Sequence, residues 1–204
     1  MAARILSRQA SPVEGMLAGL SSDKPSMRIW ALMEIAKQGE IGAVQYQLDM
    51  QVYPLLEDPD TGVQEQALRT LSQLGSRGGR HCDLIARKLT SGEQQVKLSA
   101  LLALGNLGLH AAGQSAAVEE CLESQDLDLV VASCRALGGL KATSAAGKIA
   151  QRLGSDDLDV VIAACAGLSA MDRETDAVAS LLTHSQPRVK TAAVAALRVM
   201  TRSE

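Results

Sequence analysis

Four cysteines (Cys82, Cys121, Cys134, Cys165) and three histidines (His81, His110, His184) are the side chains best able to do chemistry in this sequence. Thiolates and imidazoles attack electrophiles, bind zinc or pass protons, but only where spacing brings them together. No two cysteines form a C-x-x-C pair, so the usual dithiol and zinc signatures are missing. No histidine has a second histidine or an acid at the helical spacing of a metal-binding face. His81, Cys82 and Asp83 are contiguous, but neighbours along a helix do not face one another. A G-x-S-x-G nucleophile turn is absent, and SRGGR (76–80) lacks the Gly-Lys-Ser/Thr ending of a phosphate loop. The expectation is no catalytic, metal or cofactor-binding residue.

The elements that position these residues repeat. With Val63 as reference, Val52 stands at −11, Leu56 at −7, and Ala67, Leu68, Leu71 and Leu74 at +4, +5, +8 and +11. Moving the reference to Met27, Val96, Leu129, Val160 and Val189 recovers leucine at −7 every time, and Ile35, Leu104, Leu137, Leu168 and Leu197 at +8. Position +4 is always small: Ala31, Ala67, Ala100, Ser133, Ala164, Ala193. Offsets of 4, 7, 8 and 11 trace one face of a 3.6-period helix. Each unit is therefore a short helix, a fixed turn and a longer helix. No such pair buries its face alone, whereas stacked pairs do. The references lie 36, 33, 33, 31 and 29 residues apart, so length varies only between pairs, most of all at Gly39 to Met50, read as a loop.

The reading is an all-α, right-handed solenoid of six helix pairs at about 12–38, 49–74, 81–107, 110–140, 143–171 and 173–201, after a flexible end at 1–11. SRGGR is expected to be a connection. Ser91, Ser155 and Ser185 stand where N-caps are expected, and the acids of DLDLVV and DLDVVI favour the helix dipole. Cys134 and Cys165 share position +5. A stacked thiol pair or metal site is one reading, and small buried hydrophobes the expected one.

The segment DPDTGVQEQALRTLSQLG resembles the HEAT-like repeat of the phycobilin-lyase type, with its Asp-Pro turn, Val, paired small residues and Leu-Gly ending. SGEQQVKLSALLALGNLG and SDDLDVVIAACAGLSAMD match more loosely. The resemblance implies the fold, and as an activity the handling of a bilin-type chromophore, as a lyase or pigment-protein assembly factor. Another HEAT-like family, deoxyhypusine hydroxylase, binds iron through His-Glu pairs. No His-Glu dipeptide occurs here, so that activity is not carried over.

Positions +2, +6 and +9 point away from the core of each pair. In the second unit they are Glu65, Arg69 and Ser72, an ordinary wet face. In the next three they are Leu98, Leu102 and Gly105; Val131, Arg135 and Gly138; Ile162, Ala166 and Ser169. These face the concave side of a HEAT-like solenoid, where they either form a partner-binding groove, since exposed apolar area marks an interaction site, or are buried within the chain by tight superhelical curvature. Leu98, Leu102, Val131 and Ile162 are the candidate contact residues, with Arg69, Arg135 and Arg198 as polar edges. The last helix carries Val189, Val194, Leu197, Val199 and Met200 with no polar unit after it, a second candidate docking surface.

The expected function is a non-enzymatic scaffold or adaptor that binds protein partners within a larger assembly. The alternative is the bilin lyase or assembly-factor role. DNA-lesion binding, a third class, needs a basic concave stripe, and a net charge of −3 disfavours nucleic acid. No run approaches the roughly 20 apolar residues of a membrane span. Unpaired thiols point to an intracellular, cytoplasmic setting. Arg4 and Arg8, with no acid in residues 1–11, leave an organelle-targeting segment as the other option.

Overall fold

The structure, a computed structural model, describes residues 12–201. Its regular elements are all helical, with no strand among the described residues. The 1–11 end, with Arg4 and Arg8, lies outside them. The first pair is α1 (Pro12–Leu20) and α2 (Pro25–Tyr46), the second α3 (Leu48–Val52) and α4 (Thr61–Gln73). A short α5 (Ser76–Gly79) leads to the third pair, α6 (Cys82–Arg87) and α7 (Gln94–Leu107). Then come α8 (Ser115–Glu120) with α9 (Leu127–Gly139), α10 (Ala146–Gln151) with α11 (Leu158–Met171), and α12 (Thr175–Ser180) with α13 (Pro187–Met200).

The second helices α2, α4, α7, α9, α11 and α13 form one layer, each packed on the next, and the first helices form the other. The core lies between the layers. Position −11 is buried in all six units (Met16, Val52, Ile85, Val118, Ile149, Val178), and position +8 in five. Each such side chain withdrawn from water contributes roughly 1.5–3 kcal/mol. Cys134 and Cys165 are buried among them as small hydrophobes.

One hydrogen bond builds the turn inside every pair. The side chain at −5 accepts from the backbone N–H at −3: Ser22 from Lys24 (3.3 Å), Asp58 from Asp60 (2.9 Å), Ser91 from Glu93 (3.2 Å), Ser124 from Asp126 (3.1 Å), Ser155 from Asp157 (3.2 Å) and His184 from Gln186 (3.1 Å). The residue at −3 is then the N-cap. Asp60, Asp126 and Asp157 accept from the amides of the first turn, as N-cap carboxylates do. This corrects the sequence reading: Ser91 and Ser155 brace the turn from two residues before the cap, and Ser185 is not a cap.

Two expected loops are helical. After Gly39 breaks α2 with φ 59°, the chain resumes helix to Tyr46, because Gly42 and Ala43 are small enough to be buried there. Leu48 then starts α3 from the core. SRGGR coils into α5, whose glycines are there for space: a Cβ on Gly78 would stand 1.8 Å from the Leu71 carbonyl, and one on Gly79 2.6 Å from His110 Cβ.

Position +12, just past the second helix, takes positive φ in five units: Gly39 (59°), Gly75 (58°), Gly108 (55°), Lys141 (55°) and Asp172 (55°). The three glycines combine it with ψ of −161°, −131° and −128°, a region open to glycine, whereas Asp172 takes the left-handed helical conformation with ψ 52°. The run Gln94–Glu123 has the length and hydropathy of a membrane span, against the sequence expectation. It is interrupted at Gly108, and Val96, Leu101, Leu104, Val118 and Leu122 are buried in the core.

Candidate functional site

The reactive side chains do not assemble into a centre. All four thiols are free. Burial pushes Cys134 and Cys165 up to about 11, so both are protonated, inert packing groups. Burial also raises Cys121. The Cys82 sulfur accepts from the Gln114 amide at 3.7 Å. Among the described residues, no three His, Cys, Asp or Glu side chains converge as metal ligands.

Sequence reasoning missed one polar constellation. His81 Nε2 lies 3.2 Å from Asp49 Oδ2, and its ring stacks on Tyr53 at 4.8 Å between centroids. Asp49 is fully buried, and its Oδ1 has no hydrogen-bond partner. The pair joins the first helices of the second and third units across 32 residues. Its one sequence signal is an acid between Leu48 and Val52 on an apolar helix face. The arrangement ties two units together as a structural clasp.

The second-helix layer carries the stronger candidate. Position +6 forms a row of outward side chains along the solenoid: Met33, Arg69, Leu102, Arg135, Ala166 and Ala195, all exposed. Leu102 is 47% exposed. Beside the row, at +2, Leu98, Val131 and Ile162 are half-buried, the first two packed on the core and Ile162 lining a groove. The structure therefore brings Leu98, Leu102, Val131, Arg135 and Ile162 onto one continuous surface of α7, α9 and α11, with Arg69 next along the row on α4.

Position +9 does not belong to that surface. A Cβ on Gly105 would stand 3.0 Å from Ala136 Cα, and one on Gly138 2.8 Å from Gly167 Cα. Ser169 Oγ donates to the Ala196 carbonyl at 3.1 Å. So +9 faces +7 of the next unit, and the glycines let successive helices approach backbone to backbone. Arg198, at +9 of the last unit, accordingly lies at the open end of the stack and not along the groove.

Small residues also hollow the surface. A groove of about 450 Å³ between α11 and α13 is walled by Ile162, Ala166, Ala195 and Val199, with Ser169 and Ala196 at its floor. A smaller one of about 240 Å³ between α7 and α9 is lined by Leu102, Asn106, Ala132, Arg135 and Gly139. Arg69 reaches Glu65 at 3.9 Å, an exposed pair that holds little energy. Arg135 has no ion pair and no side-chain hydrogen bond among the described residues. It stands as an unneutralised cation in an apolar wall.

No family model and no curated protein matches the chain. Solved structures do. A designed armadillo repeat protein in complex with the peptide (KR)4 is 15% identical, with a TM-score of 0.71 over 93% of this chain and 100% of that one. The complex of CpcE and CpcF of phycocyanin lyase from Nostoc sp. is 18% identical, with a TM-score of 0.68 over 96% of this chain and 80% of that one. An archaeal HEAT-like repeats protein from Thermococcus onnurineus is 17% identical, with a TM-score of 0.62 over 93% and 87%. At these identities the likeness is one of fold, and this chain has the α-solenoid fold of HEAT-like and armadillo repeat proteins.

Proposed function

We propose that the protein is a non-enzymatic scaffold that holds a segment of a partner protein along the groove of its second helices. The observation that carries this reading is Arg135, an unpaired guanidinium flanked by exposed Leu102 and half-buried Val131. Such a surface suits a segment that buries apolar side chains and places a carboxylate opposite the arginine, a charge-assisted and often bidentate contact. On the groove positions +2, +6 and +10 of α7, α9, α11 and α13, Arg135 is the only charged residue. A designed armadillo repeat protein of similar fold binds a peptide, (KR)4, which supports peptide binding as a use of such a solenoid; that peptide is cationic, unlike the segment proposed here.

The test is affinity capture from native extract with wild type and with Leu102→Asp/Arg135→Glu. Both residues are exposed, so the variant keeps its helicity by circular dichroism. Loss of a stoichiometric partner, with the partner's isolated segment binding wild type only, supports the reading. An unchanged partner set overturns it. The second reading, action on a bilin-type chromophore, draws on the likeness to the CpcE–CpcF complex. Co-purification of a coloured small molecule with the wild type, lost on Leu102→Asp/Arg135→Glu, would favour it.

A further inference from the structure

Five internal interfaces join the six units, and equivalent positions recur at them. Toward the next unit a pair presents −7, +5 and +9. Toward the previous one it presents the reference position, +3 and +7. Thr70 Oγ1 at +7 donates to the Leu32 carbonyl at +5, at 3.1 Å, and Gly167 at +7 packs on the Cys134 carbonyl at +5. Gly105 meets Ala136, Gly138 meets Gly167, and Ser169 meets Ala196, each a +9 against a +7.

At the two ends of the stack the same positions are uncovered. The reference residue is buried in units two to six, yet Met27 in the first unit is 43% exposed, and Trp30 beside it at +3 is 44% exposed. At the other end Leu182 at −7 is 41% exposed and Val194 at +5 is 37% exposed, where all five preceding units are closed. The ends also differ in kind. Position +7 is small or hydroxylic in units two to six but is Glu34 in the first. Position +9 is small in units one to five but is Arg198 in the last. Those are the two positions that touch across the last three internal interfaces, and here they carry opposite charges. Lys37 Nζ takes Glu34 Oε1 at 2.6 Å, and no hydrogen bond is made to Oε2 among the described residues. Arg198 has no ion pair among the described residues. Bulk is complementary too: Trp30 at +3 comes opposite Val194 and the small Ala195.

We propose that the protein associates with itself head to tail, the α12–α13 end of one copy seating on the α1–α2 end of the next. Arg198 pairs with Glu34 of the second copy, and Trp30 of that copy covers Val194. The contact joins two different surfaces, so it does not close on itself and builds open chains.

The test is sedimentation of the full chain over about a hundredfold range of concentration, at low and high salt. The expected result is a weight-average mass that climbs with concentration without a plateau and falls with salt. Trp30 is the only tryptophan, so its emission shifts to the blue as chains grow. Glu34→Arg or Arg198→Glu alone lowers the association constant at least about tenfold, since like charges then face each other. The two single variants mixed recover growth by alternating, since every contact between unlike copies then pairs Arg with Glu, and the double variant likewise recovers most of the wild-type growth. The mass of a single chain at every concentration overturns the proposal. So does a plateau at two chains, or a double variant no better than the singles.

Discussion

Asp49 is the most exacting side chain in the molecule. Its carboxylate is fully buried and held on one side by His81, itself stacked on Tyr53. Removing one member of a buried pair strands the other, at about 3–5 kcal/mol. His81→Ala is therefore expected to lose about that much in urea unfolding, and Asp49→Leu added to it to recover part of the loss. Equal losses in the single and double variants would show that the pair is not coupled. At Cys134 and Cys165 the consequence is a pH dependence. Burial raises both folded values from the usual 9.0 to about 11. Between those values the unfolded chain has lost protons that the folded chain keeps, so stability falls as pH rises from about 9. Cys134→Ala/Cys165→Ala should flatten that fall in thermal melts at pH 8 to 11. The native thiols at these two positions should resist alkylation at pH 8.

At the scale of the helix, caps and close contacts set the limits. Asp126 accepts from the amides of Asp128 and Leu129, so Asp126→Ala should cost about 1 kcal/mol. Lys141 holds a positive φ of 55°, the sign that Gly75 and Gly108 take without strain at this position. Its side chain donates to the Ala170 carbonyl from an exposed position, which offsets little of the strain. Lys141→Gly is expected to stabilise by roughly 1 kcal/mol, read as a higher urea midpoint at unchanged slope. The same change at Asp172 should yield less, because Asp tolerates that conformation better. Gly167→Ala goes the other way. Alanine is the better helix former, but its Cβ would stand 2.4 Å from the Cys134 carbonyl. A backbone shift between α9 and α11 must follow, at about 1–3 kcal/mol.

For the whole molecule, stability and binding separate by surface. Residues between the layers hold the stack together, whereas the +6 row touches solvent. Leu102→Asp and Arg135→Glu are expected to change unfolding free energy by no more than about 0.5 kcal/mol while abolishing partner capture. On the two proposals, the same solenoid uses independent surfaces: a groove along its length for a partner segment, and two unlike ends for another copy. A partner bound in the groove would span several units and stiffen the stack, since each unit otherwise contacts only its neighbours.

The six-unit frame was legible in the sequence because every core contact in a solenoid is local or one unit away. Leucine at −7 and apolar residues at −11 and +8 recur since each unit repeats one packing problem. The apolar run Leu98, Leu102, Val131, Ile162 and the arginines among it were legible for the same reason. What only the tertiary structure decided lies where units meet. Position +9 had the helical phase of a solvent face, and α9 and α11 close over it because glycine and alanine admit a neighbouring backbone. Arg198 was thereby moved from the groove to the end of the stack. The Asp49–His81 clasp links residues with no periodic relation, and positive φ at Lys141 and Asp172 follows from register with glycine in other units and not from residue type. Periodicity records which face a side chain shares, and contact across a face depends on how closely two backbones approach.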